Sequence, residues 1–420
     1  MSNSFQDIHE QLSRQLGHWT QAASRLSRLD ELASPESWRG LEHYLNIALK
    51  NSLGNGLITL IQNGEMLKQQ LAEAKTVEQL EKLQLRLDDY KRKYLRTETM
   101  LDFYADAINS RTNRDISAIM RACDCIARDS MKSILTPLGK TVPPVLTYID
   151  KGLGASILKA GLRLWDGKTQ SPVAAIKIVR HNLYRPTALI HEAGHQVAHM
   201  LHWNEELGQV LLRQLKSISP KIAELWSGWS SEIAADTFAF VHTGYGSVVG
   251  LHDVVSGDSK FVFRYTPMDP HPISYLRVLL GIEMCKVSYG KGPWDQMERV
   301  WKQKYVDKNP KPQVQTLIKQ SIPLLSKIAK ICLDTPMMAF DKKPITYWIP
   351  PKRVAPNHLQ KLVKQAGNAL YVSNHWVSNE AIRLLALGGY QVAIYPLKVP
   401  QILEQQRKWM LRLGETLQVA

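Results

Sequence analysis

Residues 186–203 read PTALIHEAGHQVAHMLHW, and they place His191 and His195 four positions apart with Glu192 directly after the first. On an α-helix, positions i and i+4 share a face, about 6 Å apart along the axis. Two imidazoles so placed can point at one Zn2+ with nitrogen distances of about 2.0–2.1 Å. Glu192 is turned about 100° from His191. It therefore reaches the water that the ion activates, not the ion, and can take that water's proton. The competing reading is a surface helix that happens to carry a His–Glu–His stripe.

A catalytic zinc needs a third protein ligand and an open fourth position. The stretch WSSEIAADTFAF offers Glu232 and Asp236, again four apart, among Ile233, Ala234, Ala235, Phe238 and Phe240. Two carboxylates in so apolar a setting are costly to bury without partners. Both are accounted for if Glu232 binds the metal and Asp236 accepts the second ring N–H of a ligand histidine. Ala234 and Ala235 are small enough to let this helix lie close to the first. His199 is a poorer third ligand, because eight residues from His191 it is turned about 80° away and lies roughly 12 Å along the axis. No glycine-mediated turn precedes it, so a packing or supporting role fits it better. His202 and Trp203 are expected to continue the same helix.

These residues need a frame to hold them. Between Pro143 and Pro186 the segments 144–150, 155–166 and 171–183 are rich in β-formers and separated by turn residues, which predicts a small sheet just before the opening helix. Helices are expected from 186 to about 242, then a long loop over 244–272, and another helix from about Ile273 to Cys285. Upstream, Thr76 and Gln79 form a capping-box pattern. From there Leu80, Leu83, Leu87, Tyr90, Tyr94, Leu101, Tyr104 and Ile108 keep steps of three and four, missing only at Thr97, a heptad seam favouring an intramolecular bundle over a dimeric coiled coil. Two shorter helices broken at Gly54-Asn55-Gly56 precede it. Beyond 286, helical stretches are expected near 313–333, 356–368, 378–387 and 400–415, around a proline-rich loop.

The fold class expected is α+β, mainly α. A helical bundle with a coiled-coil-like hairpin takes 1–140, a catalytic domain 141–285, and a basic, mostly helical accessory domain 286–420. The 420 residues carry a formal charge of +15, unevenly spread. From Lys286 onward there are 21 Lys and Arg against 8 Asp and Glu, so this third carries most of the surplus. It suits an anionic partner, or a solvated lysine surface. Cys123, Cys125, Cys285 and Cys332 form no disulfide framework, and the 123/125 pair lacks the second pair that a zinc ribbon needs. No window approaches the roughly 18–20 apolar residues of a membrane span. The start has no basic-then-apolar signal pattern. A cytoplasmic location is therefore expected, with leaderless export an alternative.

His191-Glu192-x-x-His195 followed by Glu232-x-x-Ala235-Asp236 resembles the gluzincin pattern of zinc metallopeptidases. It is most similar to the prenyl-protease and HtpX-type peptidases, whose E-x-x-A-D form it matches. DPHPISYLR adds His271-Pro272 with Arg277 six residues on, and in that family a His-Pro with a similarly spaced arginine lies near the zinc. The resemblance covers 144–285 and implies a zincin-like core. It implies His271 as a hydrogen-bond donor to the transition state and Arg277 as a residue that orients the site. Such a donor would be preorganised by a helix opening after Pro272. It also implies that the strand before the active-site helix, 171–180, forms an edge onto which an extended peptide adds. Tyr245 or Tyr265 could assist at the oxyanion. Members of that family commonly sit in membranes, and this chain has no span.

Two functions of different class follow. One is a zinc endopeptidase acting on protein or peptide substrates. The other is a scaffold or nucleic-acid-associated protein with a vestigial or structural metal site, which the basic third and its Trp301, Trp348, Trp376 and Trp409 could serve as a stacking groove.

Overall fold

A computed structural model describes residues 2–162, 171–306 and 311–416. The chain begins with helices α1 (Ser2–Leu26), α2 (Pro35–Leu45), α3 (Leu49–Glu73) and α4 (Val77–Asn109). Thr76 caps α4 as its sequence predicts: its hydroxyl accepts from the Gln79 N–H at 3.3 Å, and the Gln79 side chain accepts from the Thr76 N–H at 3.1 Å. The heptad positions Leu80, Leu83, Leu87, Tyr90 and Tyr94 pack against Leu12, Leu16, Leu60, Leu67 and Leu71 of α1 and α3. The seam is thus covered by helices of the same chain. Thr97, the break in the heptad, is fully buried and returns its hydroxyl to the Lys93 carbonyl at 2.8 Å. The expected break at Gly54-Asn55-Gly56 does not occur, and α3 runs through it. Leu53, Gly56, Leu57 and Leu60 are all buried there, and packing of that face outweighs the weak helix propensity of the glycines.

This bundle is one of two compact units, Met1–Asn113 with Leu158–Ala175. The other is Arg114–Ile157 with Ile176–Ala420. The second unit opens with α5 (Arg114–Leu135), whose buried face runs from Ala118 through Ile119, Ala122, Cys123, Ile126 and Ile134. Strands β1 (Val145–Asp150), β2 (Ser156–Leu158) and β3 (Ala174–Val179) then form a three-stranded sheet in the order β1-β3-β2. Asp124 on α5 holds β1, accepting from the Thr147 backbone N–H at 2.6 Å and from its hydroxyl at 2.7 Å. The described residues that follow are mainly helical. It runs α6 (Thr187–Leu201), α7 (Trp203–Leu215), α8 (Pro220–Gly228), α9 (Ser230–Thr243), α10 (Tyr245–Val255), α11 (Ser259–Val262) and α12 (Ser274–Tyr289). After these come α13 (Trp294–Tyr305), α14 (Pro312–Ser321), α15 (Leu325–Asp334), α16 (Ile345–Trp348), α17 (Pro356–Ala366), α18 (Ala369–Val372), α19 (Ala381–Ile394) and α20 (Val399–Thr416).

The described residues are thus mainly helical, with a small three-stranded sheet. Several expectations need correction. The segment 244–272 is not one long loop, since α10 and α11 lie within it. Gly244, with φ of +55°, turns the chain between α9 and α10. It tolerates that angle because it lacks a Cβ. His202 and Trp203 do not extend the first helix: His202 is left-handed, with φ of +54°, and ends α6. Strand β3 lies in the middle of the sheet, so 171–180 is not the edge that the resemblance implied. The edges are β1 and the three-residue β2. Of the expected strand 155–166, Ser156–Leu158 form β2, and 163–166 lie outside the described residues.

The second unit packs about α6. Helix α9 lies across it, α5 covers another side, and α20 runs along α5. Arg121 on α5 donates to the Gly414 carbonyl of α20 at 2.8 Å, and Gly414 leaves no room for a Cβ against the Ala118 carbonyl. No helix among the described residues is long and apolar enough to cross a membrane.

Candidate metal centre

The site is built where α6 and α9 cross. Gly194, inside the His-Glu-x-x-His run, permits the close approach. A Cβ there would lie 2.9 Å from the Phe238 Cβ and 3.0 Å from the Ala235 Cα. Ala234 and Ala235 are fully buried at this crossing, as their small size suggests. The helices are therefore close enough for Glu232 to face His191 and His195.

His191 and His195 stand with ring centroids 4.7 Å apart, nearly perpendicular. The Nε2 of His191 lies 3.5 Å from Glu232 Oε2, and the Nε2 of His195 lies 3.2 Å from Glu232 Oε1. One ligand atom from each of the three residues falls within 4.8 Å of the others. A tetrahedral ion bound at about 2.1 Å holds its ligand atoms about 3.4 Å apart. Two imidazole nitrogens and one carboxylate at these separations fit such an ion, so this group can hold a metal.

Asp236 takes the position that the i+4 spacing from Glu232 implies. Its Oδ1 lies 2.9 Å from the His191 Nδ1, off the line of an aligned hydrogen bond but close enough for ion pairing. A carboxylate on Nδ1 keeps that nitrogen protonated and leaves Nε2 to coordinate. Ser231, which the sequence did not flag, does a similar job more loosely for His195, its Oγ 3.5 Å from Nδ1. Only its place beside Glu232 could have hinted at this.

Arg277, on the first turn of α12, ties the carboxylates together. Its Nε and Nη2 bind Asp236 at 2.6 and 2.8 Å, and Nη2 also lies 3.0 Å from Glu232 Oε2. Its side chain is only 10 % exposed. Burial works against ionising Glu232, but Arg277 and then the two histidines overcome it and hold its pKa well below the carboxylate range. Asp236 is lowered in the same contest between burial and Arg277. For His191, burial is again outweighed, here by Asp236 and Glu232, and the ring is raised to about 10. Glu192 differs. It is buried, and burial raises its pKa despite the opposing pull of His191 and His195. A carboxylate with raised proton affinity next to the ion position suits a proton acceptor.

His271 lies in the turn before α12, 62 % exposed, with Nε2 3.6 Å from Glu232 Oε1. Its other ring nitrogen, Nδ1, is 2.7 Å from Asp269 Oδ1, and the same oxygen accepts from the His271 backbone N–H at 3.0 Å. The structure therefore brings His191, Glu192, His195, Glu232, Asp236, His271 and Arg277 into one place. Tyr245 is not among them. It is buried against Trp294, with its hydroxyl 4.0 Å from the Met297 sulfur. Tyr265 is half-buried against the hydrophobic core.

The alternative groove of tryptophans does not form as a set, because Trp301 and Trp409 are buried in the core of the second unit. The four cysteines are buried, and none is in a disulfide among the described residues. The chain matches no protein-family model, no curated protein and no solved structure.

Proposed function

We propose that the protein is a zinc-dependent endopeptidase of the gluzincin type, with α6, α9 and the adjoining sheet as a zincin-like core. One observation carries this reading: His191, His195 and Glu232 converge within 4.8 Å while the buried Glu192 sits one residue from the first imidazole. The donor set of two imidazoles and a carboxylate suits zinc. When bound, the ion supplies Lewis acidity that polarises the scissile carbonyl and acidifies a water.

The chain's own residues do the rest. Glu192 accepts the proton as the water oxygen bonds to the carbonyl carbon, and delivers it to the leaving amine nitrogen as the C–N bond breaks. His271 offers a donor to the carbonyl oxygen as negative charge builds there. Asp236 sets the rotation of His191. Arg277 holds Glu232 and Asp236 together, so that two buried carboxylates do not repel each other out of register.

Support also comes from Glu192 itself, whose burial raises its proton affinity despite the opposing pull of His191, His195 and Arg277. The test is metal analysis of the purified protein together with cleavage of labelled casein by wild type and Glu192→Gln. The variant is expected to keep about one zinc per chain and to lose activity by about 100-fold or more. A zinc-loaded wild type with no cleavage, or an equally active variant, would overturn the reading.

A further inference from the structure

We infer that Asp269 is a positioning residue for His271, holding the imidazole so that its Nε2 faces the reacting carbonyl. This rests on the peptidase reading above and assigns a part to a residue outside the His-Glu-x-x-His, Glu-x-x-Ala-Asp and His-Pro patterns. The geometry has two halves. One carboxylate oxygen, Oδ1 of Asp269, meets both the backbone N–H of His271 at 3.0 Å and its ring Nδ1 at 2.7 Å. The opposite ring nitrogen is directed inward, 3.6 Å from Glu232 Oε1, at the edge of the ligand triad.

An exposed histidine has two ring torsions free, and His271 is exposed over 62 % of its side chain. Burial does not fix it, so its orientation must come from a specific contact. Asp269 is the group in position to provide one. The turn is shaped for this pairing: Met268 is left-handed, with φ of +66°, its side chain fully exposed, and the Asp269 N–H returns to the Thr266 carbonyl at 3.2 Å. A non-glycine residue in that region costs energy, and here the conformation brings Asp269 around to His271.

The pairing also settles which ring nitrogen is left to act: with Nδ1 held on Asp269, Nε2 is the nitrogen that faces the site. A side chain serving only as a turn cap would bind the backbone N–H and leave the ring alone. The 2.7 Å contact to Nδ1 distinguishes the two.

The experiment compares the full-length, zinc-loaded wild type with Asp269→Ala and Asp269→Asn, using a fluorogenic peptide taken from a casein site that the wild type cleaves. Asp269→Ala is expected to lower kcat by about 10- to 100-fold, with KM and zinc content unchanged. Asp269→Asn, which keeps an oxygen for the turn and the ring, should fall between. A wild-type kcat in Asp269→Ala, or a loss confined to KM or to zinc content, would overturn the inference.

A second measurement is independent of cleavage. In the 15N-histidine-labelled chain, the ring nitrogen signals of His271, identified by their loss in His271→Gln, should shift in Asp269→Ala. Unshifted signals would overturn the inference even if the enzyme is active. If the wild type cleaves nothing, the peptidase reading fails by itself, and these ring signals still decide whether Asp269 holds His271.

Discussion

Gly194 and Ala235 meet almost backbone to backbone where the helix of the two imidazoles crosses the helix of Glu232. The missing side chain at 194 sets the distance on which the triad depends. Gly194→Ala would place a methyl group 3.0 Å from the Ala235 Cα and 2.9 Å from the Phe238 Cβ. Neither α6 nor α9 can yield locally, because both lie in the core. The substitution is expected to cost about 1–3 kcal/mol in chemical unfolding, although alanine is the better helix former. It should also weaken zinc affinity measured by competition with a chromogenic chelator. Unchanged affinity would show that the crossing does not set the ligand spacing.

Arg277→Met tests the carboxylate clamp. The substitution removes the guanidinium that bridges Glu232 and Asp236, and losing one partner of a buried ion pair typically costs about 3–5 kcal/mol. The metal-free variant should melt well below the metal-free wild type. Added zinc should then raise the Tm of the variant more than that of the wild type, since the ion restores positive charge beside Glu232. Equal zinc-induced shifts would count against the clamp.

His242 supplies a pH dependence apart from the His191–His195–Glu232 group. Burial depresses its pKa from 6.5 to about 3, only partly opposed by the Ser130 backbone, and its ring stacks edge-on against Phe238 at 4.6 Å. Between those values the unfolded chain binds a proton that the folded chain refuses. Stability from this group is therefore complete above pH 6.5 and declines as pH falls toward 3, by up to about 1.4 kcal/mol per unit. Urea unfolding at pH 7, 5.5 and 4.5 should show a steeper acid loss in wild type than in His242→Gln. Identical slopes would place the acid sensitivity elsewhere.

Gly414→Ala probes the docking of α20 on α5. Its Cβ would collide with the Ala118 carbonyl, a backbone atom that cannot rotate away. The expected cost is at the upper end of the overpacking range, about 3 kcal/mol. It is read as a lowered Tm and as faster proteolysis after Val399.

Much of this site is visible in the sequence because helical periodicity converts spacing into direction. His191 with His195, and Glu232 with Asp236, each sit one turn apart, and the apolar neighbours of the second pair mark it as buried. Contacts made through turns carry no such periodicity. Asp269 is two residues from His271, a separation common to any loop. Ser231 is one residue from Glu232 and pointed to nothing. The order of strands in a sheet is likewise not written along the chain, so β3 could be placed before α6 but not in the middle of the sheet. Residues 245–255 hid their helix behind glycine and paired valines. Burial of Val248, Val249 and Gly250 explains why it forms despite them.

The pairing of α5 with α20 spans 293 residues of sequence. A ribosome delivers the first partner long before the second, so the groove along Ala118 stays bare while the residues of the His191–His195–Glu232 group are being made. Helix α6 leans on α5, and α5 is not fully covered until α20 arrives. Until then the nascent chain carries an open apolar strip that invites chaperone binding or self-association.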